Sequence, residues 1–320
     1  MVLIIQKTLM YAVPLLIVAL AGVFAERSGI INLALEGEMI FGAFCGAIVG
    51  IAFAKHNILI EKPQAIFVIL MIVAAAGGAI YSLMLSFSAI NLKADQTIGG
   101  TALNMLAPAI VNTVGLAFFN QEKLVMPSNF KSYAIKNPDP NANPIVQIFT
   151  DKAYISTYIV IIVFVILAIW MYKTKTGLRL RSCGEHPQAA ASVGISVFKM
   201  RYLGTTISGA LAGLGGYVYI ATTAGATAEG SVQGMGFLAL AIMIFGNWNP
   251  IWIALGALLF GFLKCVGAVS GQIEFLKAAN LPIYFYNIIP YFVVLIVLAF
   301  TAGKSGCPKA EGIPYDKGQR

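Results

Sequence analysis

A charged interruption between two strongly apolar segments constrains this chain more than any other feature of its sequence. Residues Ala25–Met39 read AERSGIINLALEGEM and include four ionisable side chains: Glu26, Arg27, Glu36 and Glu38. A charge near the centre of a bilayer costs at least about 2.5–3.5 kcal/mol, so such groups face a protein interior or an aqueous path. The acidic residues also suit the positive end of a helix that begins after the break. The pattern predicts a membrane protein with a polar interruption where a solute could pass.

The composition favours an all-α, polytopic membrane protein. Of the 320 residues, 59% are hydrophobic and 11% are charged, whereas soluble domains carry about 25% charged residues. About nine apolar segments, long enough in most cases to span a bilayer as helices, are expected: Met10–Phe24, Leu33–Ala54, Ala65–Ile90, Ile98–Phe119, Tyr154–Tyr172, Tyr202–Thr222, Gly234–Gly246, Ile251–Ser270 and Asn287–Ala302. The sixth carries a face of small residues suited to close helix packing: Gly209, Gly213 and Gly216.

The seventh segment differs from the others because it is short. Gly234–Gly246 cannot span about 30 Å as a straight helix, which predicts a half-helix or a re-entrant piece. It follows the Gly- and Thr-rich stretch Thr222–Gly236, which resembles the break before Leu33 in combining glycine with an acid ahead of a helix. Paired interruptions of this kind often flank a transporter's substrate path.

The distribution of basic residues predicts the orientation in the membrane. The loop Lys173–Arg201 contains six basic residues against one acid, Glu185, which places it in the cytoplasm. Counting segments outward from this loop puts the N-terminus outside and the C-terminus inside. Residues 1–302 then form a transmembrane domain that contains the basic loop, and residues 303–320 form a cytoplasmic tail. The Asn- and Pro-rich loop Asn120–Lys152 is expected outside.

Several function classes lack the residues they would need. His56 and His186 are the only histidines, and the four cysteines form no CxxC pair, so neither a metal site nor a histidine-based catalytic triad is indicated. No nucleotide-binding motif is present, so we expect no cofactor in this chain and no enzymatic activity of its own. The net charge of +8 reflects basic loops and contact with anionic lipid rather than a nucleic-acid surface.

Four polar residues near membrane depth are candidates for lining a path: Asn32, Glu36, Asn104 and Asn112. Glu36 is either a helix-start residue stabilised by the dipole or part of the mouth of the path. Asn104 and Asn112 lie two turns apart on nearly the same helix face. They are either interhelical hydrogen-bond partners or path-lining residues.

The second informative stretch lies within the basic loop. In GEHPQAAASVGI, Pro187 suits the first turn of a short helix, Glu185 lies near its positive end, and Gly194 can terminate it. Such a helix is either a connector or a docking element that fits a groove on a soluble partner. The residues of this candidate docking element are Gly184, Glu185, His186, Pro187, Gln188, Ala189, Ala190 and Gly194.

These two stretches, AERSGIINLALEGEM and GLRLRSCGEHPQAAASVGI, resemble the membrane permeases of ABC importers of the ribose/branched-chain amino-acid type. The first is most similar to the nucleoside-importer permeases, and the resemblance covers roughly residues 8–302. It implies pairing with a second related permease, two ABC ATPase subunits that bind ATP and Mg, and an extracytoplasmic substrate-binding lipoprotein. Gly184–Gly194 would then be the coupling helix of a multi-pass subunit of the bacterial inner membrane.

The resemblance implies purine nucleosides as the solute, with riboflavin or a simple sugar as the alternative. The competing class is an ATP-independent transporter or channel, which would need ion-coupling carboxylates in the middle of its spans. Apart from Lys264 and the pair Glu36 and Glu38, the apolar segments are nearly free of charge. This favours a permease driven by a separate ATPase.

Overall fold

The computed structural model describes residues 2–58, 61–126, 134–135, 153–270, 282–301, 306–316 and 318. The helices, in chain order, are α1 Val2–Arg27, α2 Leu35–Lys55, α3 Pro63–Ser86, α4 Gln96–Phe119, α5 Ile155–Lys173, α6 Lys175–Glu185, α7 Pro187–Ser192, α8 Val197–Thr222, α9 Met235–Phe245, α10 Pro250–Val269 and α11 Ile283–Thr301. A π-helical turn, Phe87–Asn91, extends α3. The strands are β1 Leu124–Val125, β2 Ala134–Ile135, β3 Ala153–Tyr154 and β4 Thr227–Ala228, and β1 pairs with β4 and β2 with β3, both antiparallel.

The all-α, polytopic architecture is confirmed. Each of the nine predicted apolar segments falls on a helix, and six of the described helices are long and apolar enough to cross a membrane. The seventh predicted segment is α9, which has only 11 residues. Nine as the number of spans stays a prediction, and the Asn- and Pro-rich residues Asn137–Pro144 lie outside the described residues.

The core is built around α8, which packs against α1, α2 and α3. Its small residues let these helices approach closely, as the predicted small-residue face requires. A β-carbon built on Gly213 would lie 2.9 Å from the Cα of Gly78 on α3. One built on Gly216 would lie 2.7 Å from the Cα of Met39 on α2. A larger side chain at either position would push the helices apart.

One face of the protein collects four segments that are distant in sequence. The end of α1 meets the end of α6 through an ion pair between Arg27 and Glu185, 3.5 Å apart. The turn before α4 meets the C-terminal residues through Lys93 and Asp316, 2.9 Å apart. We call this the coupling face because it carries α6 and α7. The span count places these segments on one side, and the assignment of that side to the cytoplasm stays a prediction.

The opposite face is closed by the short ladder of β1 and β4. Here Lys123 and Glu229 form an ion pair of 2.6 Å, and the hydrogen bond to Glu229 raises the pKa of Lys123. The ladder joins the end of α4 to the irregular stretch that follows α8. This stretch, residues 223–234, therefore starts at the face opposite α7 and leads the chain back to the start of α9.

Two crossings of the protein are thus interrupted, from opposite faces. After α1 ends at the coupling face, the chain turns back into the protein. Asn32 hydrogen-bonds Ser208 of α8, which lies seven residues further from the coupling face than Arg201. Seven helical residues correspond to about 10 Å, so this break runs back into the protein before α2 begins. From the opposite face, residues 223–234 run into the protein and lead to α9. The 11 residues of α9 cover about 16 Å, half of a bilayer core.

Candidate functional site

The two interruptions meet at the side chain of Glu36. Its Oε1 accepts the backbone N–H of Gly234 at 2.8 Å, and its Oε2 accepts that of Gly236 at 2.7 Å. Gly234 adopts a left-handed conformation, φ +72°, immediately before α9. The carboxylate therefore accepts hydrogen bonds from N–H groups that have no partner within the helix, and its charge stabilises the positive end of the α9 dipole. Glu36 belongs to the first turn of α2, so one side chain joins the starts of both interrupted helices.

The first interruption is also held internally by Asn32. This residue is fully buried, and its Nδ2 donates to both carboxylate oxygens of Glu38 at 3.1 and 3.0 Å and to Ser208 Oγ at 2.9 Å. Its Oδ1 accepts the N–H of Ala34 at 3.0 Å. In this conformation Asn32 has no surface for a solute. It fixes the irregular backbone against α8.

The two asparagines of α4 have different surroundings. Asn104 donates to the carbonyl of Leu33 at 2.6 Å and accepts the N–H of Gly37 at 2.7 Å, so it ties α4 to the first interruption. Asn112 is exposed and lies over the second interruption. A β-carbon built on Gly230 would be 3.0 Å from Asn112 Oδ1. Asn112 is therefore exposed, whereas Asn104 is half-buried with both amide atoms hydrogen-bonded, and a path-lining role for either stays a prediction.

A polar group at the start of α9 was not among the residues predicted to line a path. Lys264 of α10 donates to the hydroxyl of Tyr291 on α11 at 3.1 Å and lies 4.9 Å from the centre of its ring. The Tyr291 hydroxyl in turn donates to the carbonyl of Gln233 at 2.9 Å. Gln233 and Tyr291 are exposed and Lys264 is half-buried. We call these three residues the mid-membrane polar surface.

The depth of this surface follows from α9. The far end of α9 reaches the coupling face, where Trp248 Nε1 donates to Glu26 at 2.6 Å. Its start therefore lies about 16 Å deeper, near the midplane of a bilayer. Phe237, in the first turn of α9, is 50% exposed beside it. The sequence signal for this group was Lys264, because a lysine within a span faces the protein interior or water by default.

The predicted docking element forms a separate short helix. Pro187 occupies the first turn of α7, and Gly194 follows it with φ +84°, as the sequence predicts. Its exposed residues are His186, Gln188, Ala189, Ser192 and Val193. Gly184, Pro187 and Ala190 are buried, and Ala190 packs in a cluster with Cys183, Val197 and Tyr315. Gly194 is also exposed and the Glu185 side chain is 42% exposed, so these residues and the first group can contact a soluble partner, whereas the buried three cannot.

No part of the described chain suggests a metal site. Among the residues that the structure describes, no group of three or more His, Cys, Asp or Glu side chains is arranged to hold a metal ion. Glu26, Glu36 and Glu38 are each held by protein donors instead.

The fold and this site define a multi-pass helical membrane protein with two interrupted crossings, a polar surface at mid-depth and a short exposed helix on one face. These are the features of a membrane transport subunit. The model of the family described as branched-chain amino acid transport system / permease component matches residues 4–298. The chain belongs to this family of permeases, which are transport components of the inner membrane.

Curated relatives extend this similarity over nearly the whole chain. It is 39% identical to the guanosine ABC transporter permease protein NupQ of Bacillus subtilis, over 99% of this chain and 97% of the relative. It is 35% identical to the nucleoside ABC transporter permease protein NupC of Lactococcus lactis, over 98% and 96%. A second Bacillus subtilis protein, the guanosine ABC transporter permease protein NupP, is 26% identical over 93% and 83%. No solved structure matches the chain.

Proposed function

We propose that this protein is the permease subunit of an ATP-driven importer of purine nucleosides. The observation that carries the proposal is the identity of 35–39%, over nearly the full length of both chains, to permeases named for guanosine and for nucleosides. Riboflavin and simple sugars are the competing solutes.

The mid-membrane polar surface suits such a solute. A nucleoside combines ribose hydroxyls and base edges, which hydrogen-bond, with a flat aromatic base. Gln233 and Lys264 supply donors and acceptors, and the exposed ring of Phe237 supplies a stacking face. Asn112, beside Gly230, adds an amide nearer the opposite face. Stacking of a base on an aromatic side chain is worth about 1–3 kcal/mol. A site at mid-depth beside an interrupted helix also agrees with how transporters commonly bind substrate.

Glu36, Asn32 and Asn104 serve this surface indirectly in the proposal. Glu36 fixes the start of α9 and thereby the position of Gln233, and the two asparagines hold the first interruption in place. They are positioning residues. The solute-contacting group is Asn112, Gln233, Phe237, Lys264 and Tyr291.

The energy for transport is proposed to come from a separate ABC ATPase that binds ATP and Mg and docks on the exposed side of α7. Two different guanosine permeases of one organism are both similar to this chain, which supports pairing with a second, related permease. A substrate-binding lipoprotein would deliver the solute from outside. In this orientation the N-terminus is outside, and the coupling face with residues 303–320 is cytoplasmic.

Uptake of labelled guanosine tests the solute assignment. The protein would be expressed with the ATPase, second permease and binding protein of the same genome in cells without other nucleoside uptake. Unlabelled adenosine should compete with guanosine, and riboflavin and ribose should not. Competition by riboflavin or ribose alone would transfer the assignment to that solute. Uptake that persists when the ATPase is omitted would favour an ATP-independent transporter.

The solute-contacting group is tested by Lys264→Met. Because Met keeps the length and apolar stem of Lys but removes the charged donor, the helix should insert normally and uptake should fall. Leu259→Met on the same helix is the matched control, since Leu259 is 49% exposed and lies five residues from Lys264, about 140° around the helix. Protein level is measured in parallel. Equal uptake by the two variants and the wild type would remove Lys264 from the proposed group.

Docking on α7 is tested by Ala189→Trp. Ala189 is exposed on α7, so a bulky ring there should block an ATPase without disturbing the permease core. Ala65→Trp, at an exposed alanine at the opposite end of the protein, is the matched control. Co-purification of the ATPase should be lost only in Ala189→Trp. Retained co-purification together with normal ATP hydrolysis would return α7 to the role of a connector.

A further inference from the structure

The C-terminal residues pack against the coupling face through their backbone. The N–H of Ala310 donates to the carbonyl of Gly184 at 2.8 Å, and the N–H of Gly312 donates to that of Gly29 at 3.3 Å. We call residues 307–316 the C-terminal strap. It contacts the end of α6 and the start of the first interruption at the same time. Residues 303–320 were predicted only as a tail on the cytoplasmic side.

A buried arginine fastens the next part of the strap. Arg201, at the start of α8, is 1% exposed, and its Nη1 donates to the carbonyl of Ile313 at 3.0 Å. Its guanidinium also lies against Gly29, where a β-carbon would be 2.9 Å from Nη2. A buried charge is costly unless it is bonded. If the strap detached from the coupling face, Arg201 would therefore lose its hydrogen bond to the Ile313 carbonyl.

The strap ends beneath α7. The Tyr315 ring lies 5.5 Å from that of Phe198 at an angle of 69°, and Tyr315 packs with Ala190 of α7 in one buried cluster. Asp316 then pairs with Lys93, whose hydrogen bond lowers the pKa of the Asp316 carboxyl. The buried side of the proposed docking helix is thus covered in part by Tyr315 of the strap, together with Cys183 and Val197.

Between α7 and the strap lies an open cavity of about 510 Å³. Its walls include Gln188 and Ser192 of α7, Val197 of α8, and Tyr315 and Asp316 of the strap. Two aliphatic side chains are strongly exposed in the segments that supply these walls: Val193, between the wall residues Ser192 and Gly194, is 75% exposed, and Ile313, two residues before Tyr315, is 57% exposed. Exposed aliphatic side chains beside a concave surface are typical of a site for a protein partner.

We propose that the C-terminal strap is the second half of the ATPase docking surface. The same soluble ATPase that contacts the exposed side of α7 would place an apolar side chain in the cavity between α7 and Tyr315 and contact Ile313. The reason for choosing this occupant is continuity, because Gln188 and Ser192 belong both to the exposed side of α7 and to the cavity wall. This inference rests on the proposed function, since it requires an ATPase that docks on α7.

The test measures binding of the ATPase to the detergent-solubilised full-length permease complex. Ile313→Ser removes an exposed aliphatic contact without touching the backbone bond to Arg201, and Tyr315→Ala removes one wall of the cavity. Lys309→Ala, at an exposed strap residue away from the cavity lining, is the matched control. Each of the first two variants is expected to weaken binding at least about tenfold, as loss of an interface anchor does. The control should bind as the wild type.

The outcomes separate this inference from the proposed function. Binding that is lost in Ala189→Trp but normal in Ile313→Ser and Tyr315→Ala would overturn the strap as a docking surface and leave α7 docking intact. If the wild type does not bind the ATPase, the proposed function itself fails. If Tyr315→Ala reduces the level of folded protein, Ile313→Ser decides alone, because its side chain lies at the surface. Normal binding by that variant overturns the inference.

Discussion

The contact between Glu36 and α9 leads to a quantitative prediction for Glu36→Gln. The carboxylate accepts two backbone N–H groups, at 2.8 and 2.7 Å, and Glu36 is only 8% exposed. A glutamine amide has one oxygen and one NH₂ group, so one of the two N–H donors must face another donor. A hydrogen bond to a charged group contributes about 1.5–3 kcal/mol. The free energy lost with one such bond is therefore larger than that of a simple dipole interaction at a helix start, which is about 0.3–1 kcal/mol.

The effect should be local, because Glu36 joins two helix starts and leaves the rest of the core unchanged. A loss of about 1.5–3 kcal/mol corresponds to an opening equilibrium roughly 10–150-fold more favourable. Hydrogen exchange of the peptide that contains Gly234 and Gly236, measured in lipid nanodiscs, should accelerate by that factor. Nucleoside uptake should fall at equal protein level, because the start of α9 carries Gln233 and Phe237 of the proposed solute-contacting group.

Glu61→Gln is the matched control, since Glu61 is an exposed acid whose amide analogue should leave exchange and uptake unchanged. The reasoning is refuted if Glu36→Gln exchanges at the wild-type rate around Gly236 and carries guanosine normally. Faster exchange with normal uptake would keep the structural role of Glu36 and separate it from transport.

Three further predictions concern orientation, thiol reactivity and packing. With native cysteines replaced, Thr176→Cys should be shielded from an impermeant thiol reagent in intact cells and Glu122→Cys labelled; the reverse pattern would invert the topology. Burial, the hydrogen bond to Glu311 and its charge raise the pKa of Cys307 to about 12, so at pH 8 it should react with maleimide about a thousandfold more slowly than an ordinary exposed cysteine. Glu311→Gln should speed this reaction, and an unchanged rate would contradict the assignment. Gly216→Ala should destabilise the protein by about 1–3 kcal/mol through overpacking, measured by unfolding in mixed micelles; wild-type stability would show that α2 and α8 can separate.

The positions of the helices could be predicted from sequence because apolar segments of about 20 residues have few alternatives in a bilayer. The short seventh segment and the break before Leu33 were also recognisable, since glycine and acidic residues interrupt apolar runs there. The α7 helix followed from Pro187 and Gly194, which set its two ends. In each case the prediction depended on residues close together in sequence.

Contacts between distant segments were not predictable in the same way. Asn32 was expected near a path, yet it is buried by Glu38 and Ser208, and Ser208 lies 176 positions away. The group of Gln233, Lys264 and Tyr291 comes from three separate elements, and only Lys264 is unusual for a span. Whether Lys264 faces α11 or another neighbour depends on how α10 packs. The almost uniformly apolar sequence of α10 does not specify that packing.

The C-terminal strap shows a further limit, because its contacts are made largely by the backbone. The N–H groups of Ala310 and Gly312 and the carbonyl of Ile313 make the bonds that hold it. Every residue type has the carbonyl and every type except proline has the N–H, so composition does not reveal these bonds. Arg201 and Lys93 also contact the strap through their side chains, but basic residues at the predicted cytoplasmic side have a simpler interpretation in the positive-inside rule.

The strap and Glu36 together place the two proposed sites on one continuous set of contacts. The strap joins α7 to Gly29, the first interruption runs from there into the protein, and Glu36 joins its far end to Gly234 at the mid-membrane polar surface. A movement of α7 imposed by a docked ATPase would therefore act on the one irregular segment that also positions α9. Closely packed helices, as α2, α3 and α8 are, can slide past one another in small shear movements. Under the proposed function, the interruptions are the places where a displacement at the coupling face would change the geometry around the solute, and ATP would be hydrolysed by the separate ATPase.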